Sequence, residues 1–322
     1  MIGMNATDAP TETLALDDLR ELLPDFQRHL KAKNKAPNTV DSYLKVAGDF
    51  VAFLVEQGMP TGAAAVTREH VEHYFVTMQE RPNARTGEPL SEAYVAKYYR
   101  SLQQFFRWLE EVEGEIPTSP MAKMSPPAVN EQPVDVLTEP QLKMLLATAK
   151  GKTYENLRDR ALLLLFIDTG GRCGEIAPIK VDDFDFDADV VHVMGKGRRG
   201  RALPFGATTG EALRRYLRAR ARHAKVSTTE RAWVGKQGPL TEWGIRQMLN
   251  RRAKDAGVPN VHPHKFRHTF AHRWLAEGGQ EQDLMRLAGW RSREMLSRYG
   301  ASAADERARA SHRKANLIDR LT

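Results

Sequence analysis

Five residues of this 322-residue chain have the types needed to break a phosphodiester bond with a tyrosine nucleophile. They are Arg172, Lys196, His264, Arg267 and Tyr299. A phenol attacks phosphorus poorly at neutral pH, and positive neighbours lower the cost of forming the phenolate. Planar guanidinium groups match phosphate oxygens, and each preorganised donor contributes roughly 3 kcal/mol by analogy with oxyanion holes. The set therefore predicts tyrosine-mediated cleavage of a nucleic-acid backbone.

Two of these residues are expected to move protons. His264 has an unperturbed pKa near neutrality, and its spacing from Arg267 puts both on one side of a predicted helix. Lys196 lies at the tip of a predicted hairpin, where its ammonium can act as general acid for a leaving 5′ oxygen. A second interpretation of Lys196 stays open, in which it is one of several basic residues that touch DNA phosphate.

Neighbours of the two arginines are expected to support them. Glu175 is expected to orient Arg172 rather than to touch a substrate. Trp290 carries an indole N–H that can donate to a phosphate oxygen, although ordinary helix packing is an equal alternative. Of the eight tyrosines, Tyr299 alone follows the histidine–arginine pair, and a packed tyrosine at a helix end is its alternative role.

Two competing motifs are weak. His268 and His272 have the i, i+4 spacing of a zinc pair, but no glutamate completes a His-Glu-x-x-His arrangement, and both are interpreted as structural. Gly195, Gly197 and Gly200 match a dinucleotide fingerprint, yet a strand rather than a helix is predicted to follow them. We therefore expect neither a metal nor a cofactor.

The basic charge is concentrated in the second part of the chain. The formal net charge is +7, of which residues 1–130 carry −5 and residues 131–322 carry +12. This distribution indicates a polyanionic partner, double-stranded DNA, although a solvated basic surface accounts for the charge alone equally well. Six arginines are predicted to contact DNA: Arg198, Arg199, Arg201, Arg246, Arg251 and Arg252.

Cysteine content and hydropathy predict a soluble cytoplasmic protein without membrane contact. Cys173 is the single cysteine, so an intrachain disulfide and a thiolate zinc cluster are excluded, as expected in a reducing compartment. The N-terminus shows no basic segment followed by an apolar one, and the longest apolar run, residues 161–167, is too short to span a bilayer.

Hydrophobic spacing predicts a mainly α-helical chain with a small antiparallel sheet, divided into two domains. Residues 1–13 are predicted to form a flexible tail. Residues 14–113 contain four apolar stripes with helical spacing, the last opening near Ser91, and predict a helical bundle. Five prolines between residues 114 and 134 predict a semi-rigid linker.

The second predicted domain spans residues 135–322 and mixes helices with a hairpin. A capping box at Thr138 opens its first helix. Alternating apolar residues between Val190 and Phe205 flank a glycine-rich turn and predict two paired strands. Further helices follow, and an amphipathic segment at about residues 302–319 ends the chain.

The order of these motifs resembles the tyrosine recombinase, or phage integrase, family. The resemblance covers most of the chain and is strongest in residues 169–176, at Lys196 and in residues 262–299. Each motif is weak alone, but the ordered set is highly specific. Trp290 is a departure, because the family more often has histidine there, and Cys173 and the glycine after it are an unusual filling.

The resemblance implies a site-specific recombinase that needs no cofactor. Tyr299 would form a 3′-phosphotyrosyl bond, and the released 5′ hydroxyl would attack a partner duplex through a Holliday junction. Arg172 and Arg267 would clamp the phosphate. A helical, SAM-like core-binding domain and a mixed α+β catalytic domain would form a C-shaped clamp on DNA. Four protomers would form the synapse, with residues 302–319 docking on a neighbour; accessory host factors are not identified.

Two rival functions share part of this evidence. A type IB topoisomerase uses the same chemistry, but the compact chain and its helical first domain argue against it. A catalytically silent DNA-binding or architectural protein would also be basic. The complete set of six active-site residues, which are the five named first and Trp290, argues against this second rival.

Overall fold

The computed structural model describes residues 17–83, 86–129, 134–195, 199–223, 229–290, 292–293, 295–296, 299, 308–309 and 312. Four predictions therefore lie outside the described residues: the 1–13 tail, Lys196, Arg198 and most of the 302–319 segment. The side chain of Arg199 lies outside them as well. The chain separates into two compact units, Met1–Asn130 and Glu131–Thr322.

The first unit confirms the four predicted helices. They are α1 Leu19–Ala32, α2 Pro37–Glu56, α3 Arg68–Glu80 and α4 Glu92–Trp108. Side chains at two N-caps satisfy backbone N–H groups, since Asp18 accepts from Arg20 and Ser91 accepts from Tyr94. Aromatic rings from α1, α2 and α4 dominate the core that these helices enclose.

The segment after α4 differs from the predicted spacer. Ile116 and Met121 are buried in the core of the first unit, 4% and 1% exposed. The chain beyond residue 114 therefore continues to pack on this unit, because its apolar residues find the same core despite the high proline content.

Among its described residues, the second unit holds seven α-helices, a 3₁₀ helix at Val181–Asp183 and two small antiparallel sheets. Its helices are α5 Glu139–Thr148, α6 Tyr154–Thr169, α7 Cys173–Ile176, α8 Ala207–Arg220, α9 Glu242–Ala256, α10 Pro263–Ala276 and α11 Glu281–Ala288. The three-stranded sheet has the order β1 Phe184–Asp185, β2 Val190–Gly195, β3 Arg199–Pro204. A two-stranded ribbon, β4 Val234–Gly235 and β5 Gly238–Pro239, has strands too short for sequence periodicity to predict.

The chain enters the second unit along α10. Asp135 accepts an ion pair from Lys265 Nζ at 2.6 Å, and the backbone N–H of Leu137 donates to Thr269 Oγ1 at 2.8 Å. The bond from Leu137 to Thr269 is buried and shielded from water, whereas the Asp135 carboxylate that pairs with the buried Lys265 is 67% exposed. The predicted capping box then opens α5 at Thr138.

None of the described helices combines the length and apolar character that crossing a membrane requires. Within the same ranges, no group of three or more histidine, cysteine, aspartate or glutamate side chains is placed to hold one metal ion.

Candidate functional site

Arg172 leaves a glycine turn that joins α6 to α7. Gly170 ends α6 with a left-handed φ of +57°, and a Cβ there would lie 2.7 Å from the Phe270 ring on α10. A Cβ on Gly171 would lie 2.9 Å from Ile176. Because glycine alone permits this backbone and these approaches, the sequence fixes the turn against α10.

Glu175 holds the Arg172 side chain in place. Its buried carboxylate accepts from Arg172 Nη1 at 2.8 Å and from the Arg172 backbone N–H at 2.9 Å. Arg172 Nη2 also donates to the Gly289 carbonyl at 3.4 Å, while the side chain remains 33% exposed. Burial acts to raise the pKa of Glu175, but hydrogen bonds from Arg172 and Arg201 outweigh it and lower the pKa. Glu175 is therefore a carboxylate at neutral pH.

Arg201 lies within this cluster rather than on an open surface, which differs from its predicted DNA contact. It pairs with Val193 across β2 and β3 and shares a strand face with Leu203, which is fully buried. Its Nη2 donates to Glu175 Oε2 at 2.7 Å. Its Nε and Nη1 are buried and have no hydrogen-bond partner among the described residues. Arg201 thus contacts the carboxylate that orients Arg172.

Arg267 supplies a third guanidinium from α10. It is 4% exposed, donates from Nη1 to the Gly170 carbonyl at 3.1 Å, and donates from Nη2 to the Ala288 carbonyl. Burial first, and then the charges of Arg172 and Arg201, lower the pKa of Arg267 to about 10. The group stays protonated at neutral pH and joins the ends of α6 and α11.

Trp290 links Arg267 to Tyr299. Gly289 ends α11 with φ +63°, and the chain turns directly into the tryptophan. The Arg267 Cζ lies 5.2 Å from the Trp290 ring centroid, and the Tyr299 ring stacks on Trp290 at 5.2 Å and 12°. The Trp290 indole N–H is buried without a hydrogen-bond partner among the described residues, and Tyr299 is 1% exposed.

His264 faces the positive cluster from the first turn of α10. Partial burial and then the charges of His262, Arg246 and Arg267 lower the pKa of His264. Its imidazole is therefore neutral at pH 7, the form that can accept a proton or a hydrogen bond.

The sequence predicts a structural role for His268, yet the structure places its imidazole against Tyr299, the predicted nucleophile. His268 Nδ1 lies within hydrogen-bond distance of Tyr299 Oη, and the two ring centroids are 5.5 Å apart. A sequence signal for this position existed, because helical spacing puts His268 on the same face as His264, four residues earlier.

Family comparisons agree with this arrangement. Residues 135–306 match the phage integrase family, and residues 22–116 match the N-terminal SAM-like domain of phage integrases. The tyrosine recombinase XerC of Oceanobacillus iheyensis is 31% identical over 310 residues, covering 94% of this chain and 99% of that protein. The chain belongs to the phage integrase family. It is a site-specific recombinase of the tyrosine type.

Solved structures of integrases share the fold of this recombinase. The Tn1549 transposon integrase in complex with transposon right end DNA aligns with a TM-score of 0.71 and 20% identity, over 92% of this chain and 99% of that one. A lambda integrase tetramer bound to a Holliday junction aligns with a TM-score of 0.62 and 16% identity, over 85% and 78%.

The remaining predicted DNA contacts of the recombinase lie on α9 and differ in exposure. Arg246 is exposed and close enough to His264 to lower its pKa. Arg252 is 7% exposed, so its position differs from the predicted DNA contact. It donates from Nη2 to Asp159 at 2.7 Å and from Nη1 to the Thr148 carbonyl at 2.6 Å.

A second buried carboxylate, Asp159, contacts two arginines of α9, Arg251 and Arg252. It is fully buried and accepts from Arg158 Nη2 at 2.7 Å, from Arg252 Nε at 2.9 Å and from Arg251 Nη2 at 3.0 Å. The Arg251 side chain nevertheless remains 54% exposed. We call Asp159 with these three arginines the Asp159 cluster, and Glu175 with Arg172, Arg201 and Arg267 the Glu175 cluster.

Proposed function

We propose that Tyr299 Oη attacks a scissile phosphate of duplex DNA, forming a 3′-phosphotyrosyl bond and releasing a 5′ hydroxyl. The observation that carries this proposal is the contact of Trp290 with both Tyr299 and the guanidinium of Arg267, beside the Glu175 cluster. A nucleophile next to preorganised guanidinium groups is the arrangement that phosphoryl transfer requires, since charge develops on the phosphate oxygens.

Each further site residue has a proposed part. Arg172 and Arg267 clamp the phosphate, with Glu175 orienting Arg172. The buried indole N–H of Trp290 donates to a phosphate oxygen once DNA is bound. His264, neutral at pH 7, assists proton transfer at the phosphate. Lys196, outside the described residues, protonates the leaving 5′ oxygen.

Rejoining completes the proposed reaction. The 5′ hydroxyl of a partner duplex attacks the phosphotyrosyl bond, so the covalent bond conserves the energy and the strands exchange through a Holliday junction. We propose a synapse of four protomers, which the lambda integrase tetramer on a Holliday junction supports. The final segment, residues 302–319, is proposed to dock on a neighbouring protomer.

The basic catalytic unit is proposed to bind double-stranded DNA together with the helical unit. Residues 131–322 carry +12, and the exposed side chains of Arg246 and Arg251 are available to phosphates. We assign residues 14–113 to a core-binding domain, 114–134 to a linker whose first part packs on that domain, and 135–322 to the catalytic domain. A cytoplasmic location is also proposed, because DNA and reducing conditions are found there.

Covalent trapping tests the chemistry. The protein is incubated in EDTA with nicked suicide duplexes from its genomic neighbourhood, and SDS-resistant adducts are mapped by mass spectrometry. We expect an adduct on Tyr299 that Tyr299→Phe abolishes, while Tyr43→Phe serves as the matched control and retains it. DNA affinity of Tyr299→Phe should be unchanged, since one hydroxyl is removed.

Other outcomes identify the rivals. DNA binding without any adduct, repeated on a random duplex library, would point to a silent binder. Relaxation of supercoiled DNA without exchange between paired sites would point to a topoisomerase. Affinity should fall steeply with salt, with a log–log slope of about −0.9 per neutralised phosphate; a flat response contradicts the DNA partner.

A further inference from the structure

The hydroxyl of Tyr299 meets a histidine that the proposed chemistry has not yet used. His268 Nδ1 lies within hydrogen-bond distance of Tyr299 Oη. The two rings are tilted by 41° with centroids 5.5 Å apart, so the contact is made at the ring edge rather than by stacking. The phenol ring itself stacks on Trp290, which leaves its hydroxyl directed to the imidazole.

Two of the three histidines of α10, His264 and His268, face different groups. His264 lies near Arg246, Arg267 and Arg172, whose charges contribute to lowering its pKa. His268 follows one helical turn later, with its ring centroid 6.5 Å from that of His264, and contacts Tyr299. One histidine therefore faces the guanidinium groups that bind phosphate, and the other faces the nucleophile.

We propose that His268 Nδ1 is the proton acceptor for Tyr299, an inference that rests on the proposed recombinase chemistry. In cleavage, the Oη–P bond forms, the P–O5′ bond breaks, the tyrosine proton passes to Nδ1, and Lys196 protonates the leaving 5′ oxygen. In rejoining, the attacking 5′ hydroxyl gives its proton to Lys196, its oxygen forms the new P–O bond, the P–Oη bond breaks, and Nδ1 returns its proton to the phenolate. No oxidant or co-reactant is required.

The chemistry of imidazole suits this step. The unprotonated nitrogen of a neutral imidazole accepts a proton, and a positioned general base typically accelerates a reaction roughly 10²- to 10⁴-fold. The assignment also divides the work, because His264 then acts at the phosphate oxygens while His268 acts on the nucleophile.

Rapid-mixing kinetics of adduct formation test the assignment with two substrates. The first is the ordinary suicide duplex, and the second carries a 5′-bridging sulfur, whose thiolate leaves without a proton. We expect His268→Gln to slow formation of the Tyr299 adduct about 100-fold or more on both substrates, because glutamine bonds to the hydroxyl but does not take its proton. The matched control His272→Gln, one turn along α10, should stay within about threefold of wild type.

Several results would overturn the assignment. The first is a rate of adduct formation by His268→Gln that is close to wild type. The second is a rate above wild type, which would mean that the contact restrains Tyr299. The third is a defect that disappears with the sulfur substrate, which would place the action of the histidine at the leaving group. Absence of the adduct in the wild type would instead reject the proposed recombinase chemistry. DNA affinity and thermal melting show whether a variant is folded. If His268→Gln is not folded, His268→Asn is measured in its place.

A measurement on the unmodified chain keeps the proposal testable if both variants misfold. Nitrogen-15 NMR of labelled histidine reports which ring nitrogen of His268 carries the proton, with Tyr299→Phe used for assignment. We expect Nδ1 to be unprotonated and to accept the hydrogen bond from Oη. A protonated Nδ1 that donates to Oη would overturn the proposal, since that nitrogen has no lone pair for the proton.

Discussion

The Asp159 and Glu175 clusters contain the same residue types, but their arginines use their hydrogen-bond donors differently. Both centre on a buried carboxylate that several arginines contact. In the Asp159 cluster, the two buried arginines also donate to backbone carbonyls: Arg158 donates to that of Val234, and Arg252 donates to that of Thr148. In the Glu175 cluster, Arg201 retains two buried N–H groups without a partner among the described residues.

The difference shows how to separate a structural from a functional ion cluster. A buried carboxylate with arginines is common to both, so the ion pairs alone decide nothing. What distinguishes the Glu175 cluster is the surplus of buried hydrogen-bond donors on Arg201 and the crowding of like charges that lowers the pKa of Arg267. Both features cost stability in the free protein, and we expect a bound phosphate to offset the crowding of like charges.

The largest effect is expected at the centre of the Asp159 cluster. Asp159→Asn leaves three guanidinium groups around a neutral amide, and we expect the free energy of unfolding to fall by about 3–5 kcal/mol. Urea denaturation measures it, with the exposed Asp187→Asn as control, expected within about 0.5 kcal/mol of wild type. If Asp159→Asn lowers the free energy of unfolding by less than about 1 kcal/mol, the structural role of the Asp159 cluster is contradicted.

The turn before Arg172 should give the next effect. Gly170→Ala adds left-handed strain and a contact with Phe270, and should lower the free energy of unfolding by roughly 2–4 kcal/mol. Gly257→Ala is the matched control, because φ is +65° there and a Cβ would meet no atom within 4 Å. Equal losses in the two variants would contradict a role for the Phe270 approach.

A substitution of Arg201 tests whether this residue supports cleavage through Glu175 rather than by touching phosphate. Arg201→Met removes a charge-assisted bond to Glu175, and we expect cleavage to slow roughly 10- to 100-fold. The salt slope of DNA binding should not change, because the residue does not touch phosphate. A shallower slope, by about 0.9, would restore the predicted DNA contact; Arg246→Gln provides the comparison for an exposed arginine.

The smallest effect concerns the pKa of His264. It should titrate below the ordinary value, and Arg246→Gln should move it upward by removing one positive neighbour. Because the folded pKa is depressed, the unfolded chain binds more protons between the folded pKa and about 6.5, so this contribution to stability declines as pH falls through that window. Proton NMR titration measures the shift, and Arg251→Gln should leave it unchanged.

Much of the fold was predictable because helices and caps are local. Apolar spacing located the four helices of the first unit, and the box at Thr138 marked the start of α5. The order of motifs also identified the family. The β4–β5 ribbon was missed, and Ile116 and Met121 were assigned to a spacer, because neither feature follows from local periodicity.

The sequence predicted the roles of site residues less well where burial decides what a side chain contacts. Arg201 and Arg252 were grouped with surface cations by composition, yet both lie against buried carboxylates. The alternation of β3 held the missing signal, since Arg201 shares the face of Leu203. For His268, helical spacing from His264 indicated the helix face, but its partner Tyr299 lies 31 residues away, so the contact itself follows only from the tertiary structure.

The two contacts at the entrance of the catalytic unit have a structural consequence. Asp135 and Leu137 attach to Lys265 and Thr269, neighbours of Arg267 and His268 on α10. The first residues of this unit are therefore attached to the helix that bears those two groups before the chain reaches α6 or the sheet.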